Sequence, residues 1–176
     1  MPLLPEVICT PAHTQADIAC IAQLARQIWT EHYTPIIGAA QVEYMLVNFQ
    51  SEAAIASQIT GGHEYFILSA DNTASNAQRI PLGYMDIVAQ PESAKLFLSK
   101  LYVTAAARGR GFGRAMFDRA TFIARQRGLK TVWLTVNKSN PALQAYLQWG
   151  MENKGPVVKD IGGGFVMDDF QLEKAV

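Results

Sequence analysis

A short segment rich in arginine and glycine, RGRGFG at residues 108–113, constrains the fold of this chain more than any other feature. It follows an apolar stretch, KLFLSKLYV, and precedes a helical pattern, so it predicts a bend between a strand and a helix. Glycine permits backbone conformations and close approaches that a side chain would block. Unpaired amides at the start of a helix favour an anion. Because Arg108, Arg110 and Arg114 add fixed positive charge and forked donors, the bend is a candidate site for a pyrophosphate.

Two nucleotide-binding motifs with glycines at such a bend do not fit the spacing. A P-loop requires Gly-Lys-Ser or Gly-Lys-Thr after its first glycine, and neither tripeptide follows here. A dinucleotide fingerprint requires its third glycine at position 114, which is Arg114. It also requires an acidic residue at the end of the next strand, where Asn137 stands. The sequence therefore excludes both motifs.

The segment does match the form Arg/Gln-x-x-Gly-x-Gly/Ala, as Arg108-Gly109-Arg110-Gly111-Phe112-Gly113. The strand end LYV precedes it, and TVWLTVN and NPALQAYLQWGM follow it. In these motifs, their order and their spacing, the chain resembles the GNAT superfamily of acyl-CoA-dependent N-acyltransferases over about residues 80–152. The first half, with IWTEHYTPI, and the closing VMDDFQLEK are similar to the branch that includes bacterial polyamine acetyltransferases.

Hydrophobic periodicity and turn residues predict strands mixed with helices. EYFILSA, IPLGYMDIVA and KLFLSKLYV, joined by DNTASNAQ and QPES, predict an antiparallel meander. The order strand, bend, helix and TVWLTV predicts a parallel crossover. With the resemblance, this implies an α+β (mixed α/β) fold of GNAT type in a single domain, 1–176, with a mostly antiparallel mixed sheet of six or seven strands flanked by helices. Further strands are expected at 6–10, 157–159 and 165–172, and helices at 13–29, 39–49, 52–59 and from the glycine run to about 128. A last helix is expected to have Asn140 as its cap, Pro141 as its first residue and Gly150 at its end.

The resemblance implies acetyl-CoA as co-substrate and assigns its contacts. Amides of the glycine bend would hold the pyrophosphate, and the end of the fourth strand, splayed from the fifth, would receive the pantetheine and the thioester carbonyl. An ordinary turn and an ordinary central strand are the alternatives, and Asn140 also suits a plain helix cap. The implied cofactor-binding residues are Leu101, Tyr102, Val103, Arg108, Gly109, Arg110, Gly111, Phe112, Gly113, Arg114, Asn137, Asn140 and Tyr146.

Two residues are expected to be catalytic. Many family members carry a tyrosine at the place of Tyr146 that hydrogen-bonds the cofactor sulfur and is proposed to protonate the thiolate; packing in the core is the alternative. The strand glutamate of many members has no counterpart in KLFLSKL. We therefore expect Glu31, in the link between the first two helices, as the first candidate general base, with His32, Tyr33 and Asp86 as further candidates and a solvated role as the alternative.

The implied reaction moves an acetyl group to a primary amine of a small molecule, with polyamines among the candidates, by direct attack on the thioester. Acceptance by a protein N-terminus or lysine, and a non-catalytic acyl-CoA sensor, are the alternatives. Three acidic residues near the last hairpin can attract a cationic acceptor or be merely solvated. They are Asp160, Asp168 and Asp169.

Composition limits the other function classes. A formal net charge of +0 argues against nucleic-acid binding over the whole surface. The three histidines lack metal-ligand spacing, so no metal is expected. Cys9 and Cys20 are expected to be reduced, and no signal peptide or membrane-spanning run is apparent, so the expected location is the cytoplasm. The resemblance also leaves a homodimer open.

Overall fold

The computed structural model describes residues 7–70 and 79–176, which form a seven-stranded sheet in the order β1-β2-β3-β4-β5-β7-β6. The predicted turn DNTASNAQ lies outside the described residues. The strands are β1 (Val7–Pro11), β2 (Glu64–Ala70), β3 (Ile80–Gln90), β4 (Lys95–Val103), β5 (Thr131–Asn137), β6 (Glu152–Gly162) and β7 (Phe165–Ala175). The helices are α1 (Gln15–His32), α2 (Thr34–Ile37), α3 (Ala39–Phe49), α4 (Glu52–Thr60), α5 (Phe112–Gln126) and α6 (Ala142–Gln148).

The strand pairing confirms the predicted α+β class. Strands β2, β3 and β4 form the antiparallel meander, and β4 pairs with β5 in parallel as the crossover requires. All other neighbouring strands in the sheet are antiparallel. Two apolar cores lie on the two faces of the sheet: α5 packs on one face, and α1, α3 and α4 pack on the other.

Several element bounds differ from the prediction. The helix α1 begins after a capping box at Thr14 and continues to His32, so Glu31 lies in its last turn and not in a link. The predicted interruption at YTPIIGA contains the short helix α2, because Pro35 occupies its first turn, where no amide donor is needed. Helix α6 begins at Ala142, one residue after Pro141, the expected first helical residue. Strands β6 and β7 extend beyond the expected residues because each is paired along its length.

One extra residue in β4 changes which side chains enter the site. Asp86 of β3 pairs with Lys100 and the next residue, Ile87, pairs with Leu98, so Ser99 forms a β-bulge. Before the bulge, Leu98 points into the core beside α5. After it, Lys100 points to the opposite face, where it donates to Gln58 of α4. The bulge therefore reverses the inward and outward alternation along β4.

Strands β4 and β5 diverge after a short parallel ladder. Only Lys95–Phe97 of β4 pairs with β5, at Thr131–Trp133. The remainder of β4 pairs with β3 alone, and the remainder of β5 pairs with β7. A gap therefore opens in the middle of the sheet, beyond Phe97.

Candidate active site

A cleft of about 540 Å³ occupies the gap between the diverging strands. It reaches both faces of the sheet, because its lining includes Tyr146 from the core beside α5 and Tyr102 and Met167 from the core beside α1 and α3. Most of the residues predicted to bind the cofactor line this cleft. They are Leu101, Tyr102, Val103, Arg108, Gly109, Gly111, Gly113, Arg114, Asn137, Asn140 and Tyr146.

Three predicted site residues do not line the cleft. Phe112 is 1% exposed and packs in the core, where it anchors the start of α5. The Arg110 guanidinium lies 5.2 Å from the centre of the Phe112 ring and is exposed. Glu31 is exposed on the last turn of α1. These positions leave a role for the Arg110 backbone open and give the Glu31 carboxylate no contact with the cleft.

The glycines of the bend differ in what their positions require. Gly109 and Gly111 have φ angles of 71° and 83°, in the left-handed region that favours glycine. At Gly113 a Cβ would make only ordinary van der Waals contact, 3.5 Å from the Trp149 ring, so neither space nor backbone angle requires glycine there. Within the described residues, no amide from Gly109 to Arg114 donates to a protein acceptor. The bend therefore presents a set of free N–H groups at the positive end of the α5 dipole.

Tyr146 packs in the core and also lines the cleft. It is 8% exposed and packs edge to face with Trp149, with ring centres 5.4 Å apart. It also lines the cleft, and its hydroxyl has no protein hydrogen-bond partner within the described residues. Burial raises the pKa of this phenol above its ordinary value. A protonated phenol is thus held at the gap between β4 and β5.

Asn140 connects the two sides of the cleft. Its Oδ1 accepts from the amide of Ala142 at 3.0 Å, which caps α6, and its Nδ2 donates to the Tyr33 hydroxyl at 3.0 Å. The His32 Nε2 lies 3.1 Å from the same Oδ1. Because the carboxamide oxygen only accepts, His32 donates through Nε2. Asn140 therefore caps a helix and also joins it to the end of α1.

An aromatic wall, defined as Trp29, Tyr33 and Tyr102, lines the cleft on the α1 side. Trp29 stacks on Tyr33 with ring centres 4.3 Å apart, and Tyr102 lies 5.5 Å from Trp29. The sequence predicted site roles for Tyr33 and Tyr102 but not for Trp29. The available signal for Trp29 was the helical spacing of apolar residues in α1, and that spacing does not distinguish a core residue from one that lines a cleft.

Asp169 is a buried carboxylate in the same cleft. It is 3% exposed and lies on β7 opposite Asn137 of β5. Burial raises the pKa of Asp169, as does the neighbouring Asp168, whereas a hydrogen bond with Thr135 opposes the rise. From the sequence, Asp169 was grouped with Asp160 and Asp168 as acids that attract a cationic acceptor or are merely solvated. Alternation along a strand was the available signal, since two adjacent aspartates point to opposite faces of a sheet.

This raised pKa predicts a pH-dependent stability difference. The folded state binds the Asp169 proton more tightly than the unfolded state, so stability falls as the pH rises from the ordinary value of 3.8 to the raised one. Asp169→Asn is therefore expected to raise the melting temperature by about 3 °C at pH 7. At pH 3 the gain should vanish, as calorimetry can measure. The exposed neighbour provides the control, and an equal gain from Asp168→Asn would contradict the prediction.

Contacts between α3 and the β6–β7 hairpin lie beside the cleft. Gln41, which lines the cleft, donates to the carbonyl of Val166 at 2.8 Å, and the Tyr44 hydroxyl donates to the carbonyl of Ile161 at 2.7 Å. A Cβ on Gly163 would lie 2.6 Å from the Tyr44 ring, so the glycine turn permits this contact. These bonds join α3 to the hairpin next to two cleft-lining residues, Gln41 and Met167.

The family is decided by comparison with known sequences. Residues 23–151 match the model of the acetyltransferase (GNAT) family. The chain belongs to the GNAT acetyltransferase family. A search of curated proteins finds no match. The fold agrees with this family, because solved N-acetyltransferase structures superpose on almost the whole chain.

Three solved structures illustrate the similarity. A GCN5-related N-acetyltransferase from Rhodopseudomonas palustris is 18% identical, with a TM-score of 0.75 over 98% of this chain and 96% of that one. The PaiA N-acetyltransferase from Thermoplasma acidophilum, in complex with coenzyme A, is 19% identical, with a TM-score of 0.70 over 97% and 99%. The spermidine/spermine N-acetyltransferase SpeG from Vibrio cholerae is 16% identical, with a TM-score of 0.67 over 96% and 93%. At these identities the likeness shows a GNAT fold.

Within residues 7–70 and 79–176, none of the helices has the length and apolar character that spanning a membrane requires. In the same ranges, no three His, Cys, Asp or Glu side chains are grouped to hold a metal ion.

The side chain of Arg108 is expected to contribute to anion binding. It lines the cleft, and its Nε donates to the carbonyl of Val103 at 3.2 Å. Because one charge-assisted hydrogen bond contributes about 1.5–3 kcal/mol, Arg108→Ala should weaken coenzyme A binding about 10-fold or more in titration calorimetry. Arg119→Ala is the control, because Arg119 is an exposed arginine on α5, the helix that follows the bend. Equal affinities for the two variants would contradict the role of Arg108.

Proposed function

We propose that this GNAT protein transfers an acetyl group from acetyl-CoA to a primary amine of a small molecule. The observation that carries the proposal is one cleft that contains both the unpaired amides of the glycine bend and the Tyr146 phenol. Free amides at a helix start suit the diphosphate of coenzyme A. The gap between β4 and β5 suits its pantetheine arm, since Leu101, Tyr102 and Val103 line the cleft without pairing to β5.

The residues present fit acetyl-CoA on chemical grounds. When bound, acetyl-CoA supplies an activated acetyl group as a thioester. The β4 backbone after the bulge, which does not pair with β5, would supply a donor for the thioester carbonyl, a contribution worth roughly 3–4 kcal/mol to the barrier when the donor is well placed. Arg108 and Arg114 both line the cleft beside the amides and offer positive charge to the phosphates.

Tyr146 is the proposed general acid. Its phenol is buried and its raised pKa keeps it protonated at neutral pH. A phenol donates to a thiolate, whose conjugate acid has a pKa of about 8.5, when water is excluded and the geometry is favourable. Burial beside Trp149 and Phe117 supplies the first condition. Glu31 is a weaker proposal for the base than our sequence analysis expected, because it is exposed away from the cleft.

The contacts between α3 and the β6–β7 hairpin support a small acceptor over a peptide. A peptide would require an open groove, whereas the bonds from Gln41 and Tyr44 tie α3 to the hairpin beside the cleft. A polyamine is one candidate, supported by the cleft carboxylate Asp169 and by the fold shared with the Vibrio cholerae spermidine/spermine N-acetyltransferase. A protein acceptor and a non-catalytic sensor are the competing functions.

One assay separates these functions. Free thiol release from acetyl-CoA is measured with a panel of alkylamines, polyamines, aminoacyl amides and lysine peptides. We expect turnover with small amines and little with peptides. Preference for peptides would support the protein-acceptor function. Tight coenzyme A binding without turnover on any amine would support the sensor and overturn the proposed transferase activity.

A further inference from the structure

The cleft contains one carboxylate that no protein cation neutralises. Asp169 is 3% exposed and lines the cleft. Among the described residues, no lysine, arginine or histidine nitrogen lies within ion-pair distance of it. Lys138, whose charge acts on Asp169, forms its ion pair with the exposed Asp168 instead. A buried charge without a partner is costly, so its retention in a cleft points to a cationic ligand.

The aromatic wall lines the same cleft as this carboxylate. The negative charge of Asp169 raises the pKa of both Tyr33 and Tyr102, although burial is the larger cause for each. The centres of these two rings are 6.0 Å apart, and Trp29 stacks on Tyr33. Aromatic faces attract organic cations, most strongly when the site is shielded from water. Carboxylate and rings together therefore match an alkylammonium better than a neutral molecule.

Of the other polar groups that line the cleft, Thr135 hydrogen-bonds with Asp169 without bringing charge, and Lys100 of β4 forms its ion pair with Asp86 at 2.8 Å. The charge of Asp168, the preceding residue on β7, raises the pKa of Asp169. The charge of Lys138, which follows β5, lowers that pKa. From α1, His32 lies in the cleft but donates its Nε2 hydrogen to Asn140. Tyr146, from α6, faces the cleft from the cofactor side of the sheet. None of these groups supplies a full positive charge to the carboxylate at close range.

We propose that Asp169 and the aromatic wall form the acceptor subsite for an alkylammonium, and that Asp169 takes the proton whose removal frees the amine for attack. The inference rests on the proposed acetyltransferase function and names its acceptor class and its base. Asp169 thereby replaces Glu31 as the general base. Asp169 would also serve as the carboxylate base that β4 cannot supply, because KLFLSKL contains no aspartate or glutamate.

In the proposed reaction each bond that forms is matched by one that breaks, and each proton has an acceptor. The ammonium N–H breaks and its proton forms an O–H bond on Asp169, which leaves a lone pair on nitrogen. That lone pair forms the C–N bond as the C–S bond breaks. Tyr146 gives its proton to sulfur. The nitrogen loses a second proton as the amide forms, and water carries a proton back to the Tyr146 phenolate. Asp169 returns its proton to solvent.

The test compares two amines in wild type, Asp169→Asn and the control Asp168→Asn. Propylamine is an ammonium ion at pH 7 and requires a base, whereas aniline is already neutral. We expect Asp169→Asn to lower kcat/KM for propylamine about 100-fold or more and to change it much less for aniline. Asp168→Asn should affect neither amine. Equal losses on both amines, or no loss on propylamine, would overturn the assignment.

A second measurement does not depend on turnover. Titration calorimetry of propylammonium into the coenzyme A complex should show binding about 10-fold or more weaker for Asp169→Asn than for Asp168→Asn. Asp169→Glu keeps the charge and should restore part of the affinity, which guards against a folding defect. Equal affinities in all variants would refute the subsite. A wild type that binds propylammonium but acetylates no amine would refute the proposed function and leave the cation subsite supported.

Discussion

Replacing Tyr146 by phenylalanine is expected to lower kcat for acetyl transfer by about 100-fold or more, with a smaller effect on coenzyme A affinity. The substitution removes only the hydroxyl. The ring keeps its edge-to-face contact with Trp149, at 5.4 Å between centres, and its packing near Phe117. An interaction made only as the thiolate departs should affect kcat, whereas one made with bound coenzyme A would affect its affinity as well.

The control removes a hydroxyl elsewhere in the core. Tyr84 is 0% exposed, its hydroxyl donates to Gln50 at 3.0 Å, and it does not line the cleft. Tyr84→Phe should therefore keep its turnover despite some loss of stability. Steady-state rates and binding affinities for the two variants are compared at the same temperature. Unchanged turnover in Tyr146→Phe would show that another group or water protonates the sulfur.

The glycine bend could be predicted because its physics is local. Consecutive residues supply the left-handed positions, the free amides and the arginine charge, and the flanking strand and helix follow from their own periodicity. Gly109 and Gly111 have the positive φ angles expected of such a bend. The sheet pairing was predictable for a similar reason, because short polar links join the meander and a helix joins the parallel strands.

The acceptor side could not be predicted in the same way. Asp169, Trp29 and Tyr102 come from three distant elements and meet only in the folded chain. The bulge at Ser99 adds to the difficulty, since a simple alternation through KLFLSKLYV would place Lys100 on the same face as Leu98. Glu31 was misplaced because the end of α1 depends on its contacts and not on propensity alone.

The buried ion pair created by that bulge supports the cofactor strand. Asp86 is 0% exposed, and its Oδ2 accepts from Lys100 at 2.8 Å and from His63 at 2.7 Å. Lys100 also donates to Gln58 at 2.7 Å. Burial lowers the pKa of Lys100, and the Asp86 charge opposes that effect. The pair therefore fixes the bulge directly before Leu101, where β4 turns its backbone toward the cleft.

Asp86→Ala is expected to destabilise the protein by about 3–5 kcal/mol, because it leaves the Lys100 ammonium buried without its partner. The melting temperature should fall by about 10 °C, and the free energy of unfolding is measured with a denaturant. Adding Lys100→Met removes the stranded charge, so the double variant should recover much of the loss. Glu43→Ala, which breaks an exposed pair with Arg26, should cost less than about 1 kcal/mol. If Asp86→Ala cost no more than Glu43→Ala, or if Lys100→Met recovered nothing, the pair would not be what holds the bulge in place.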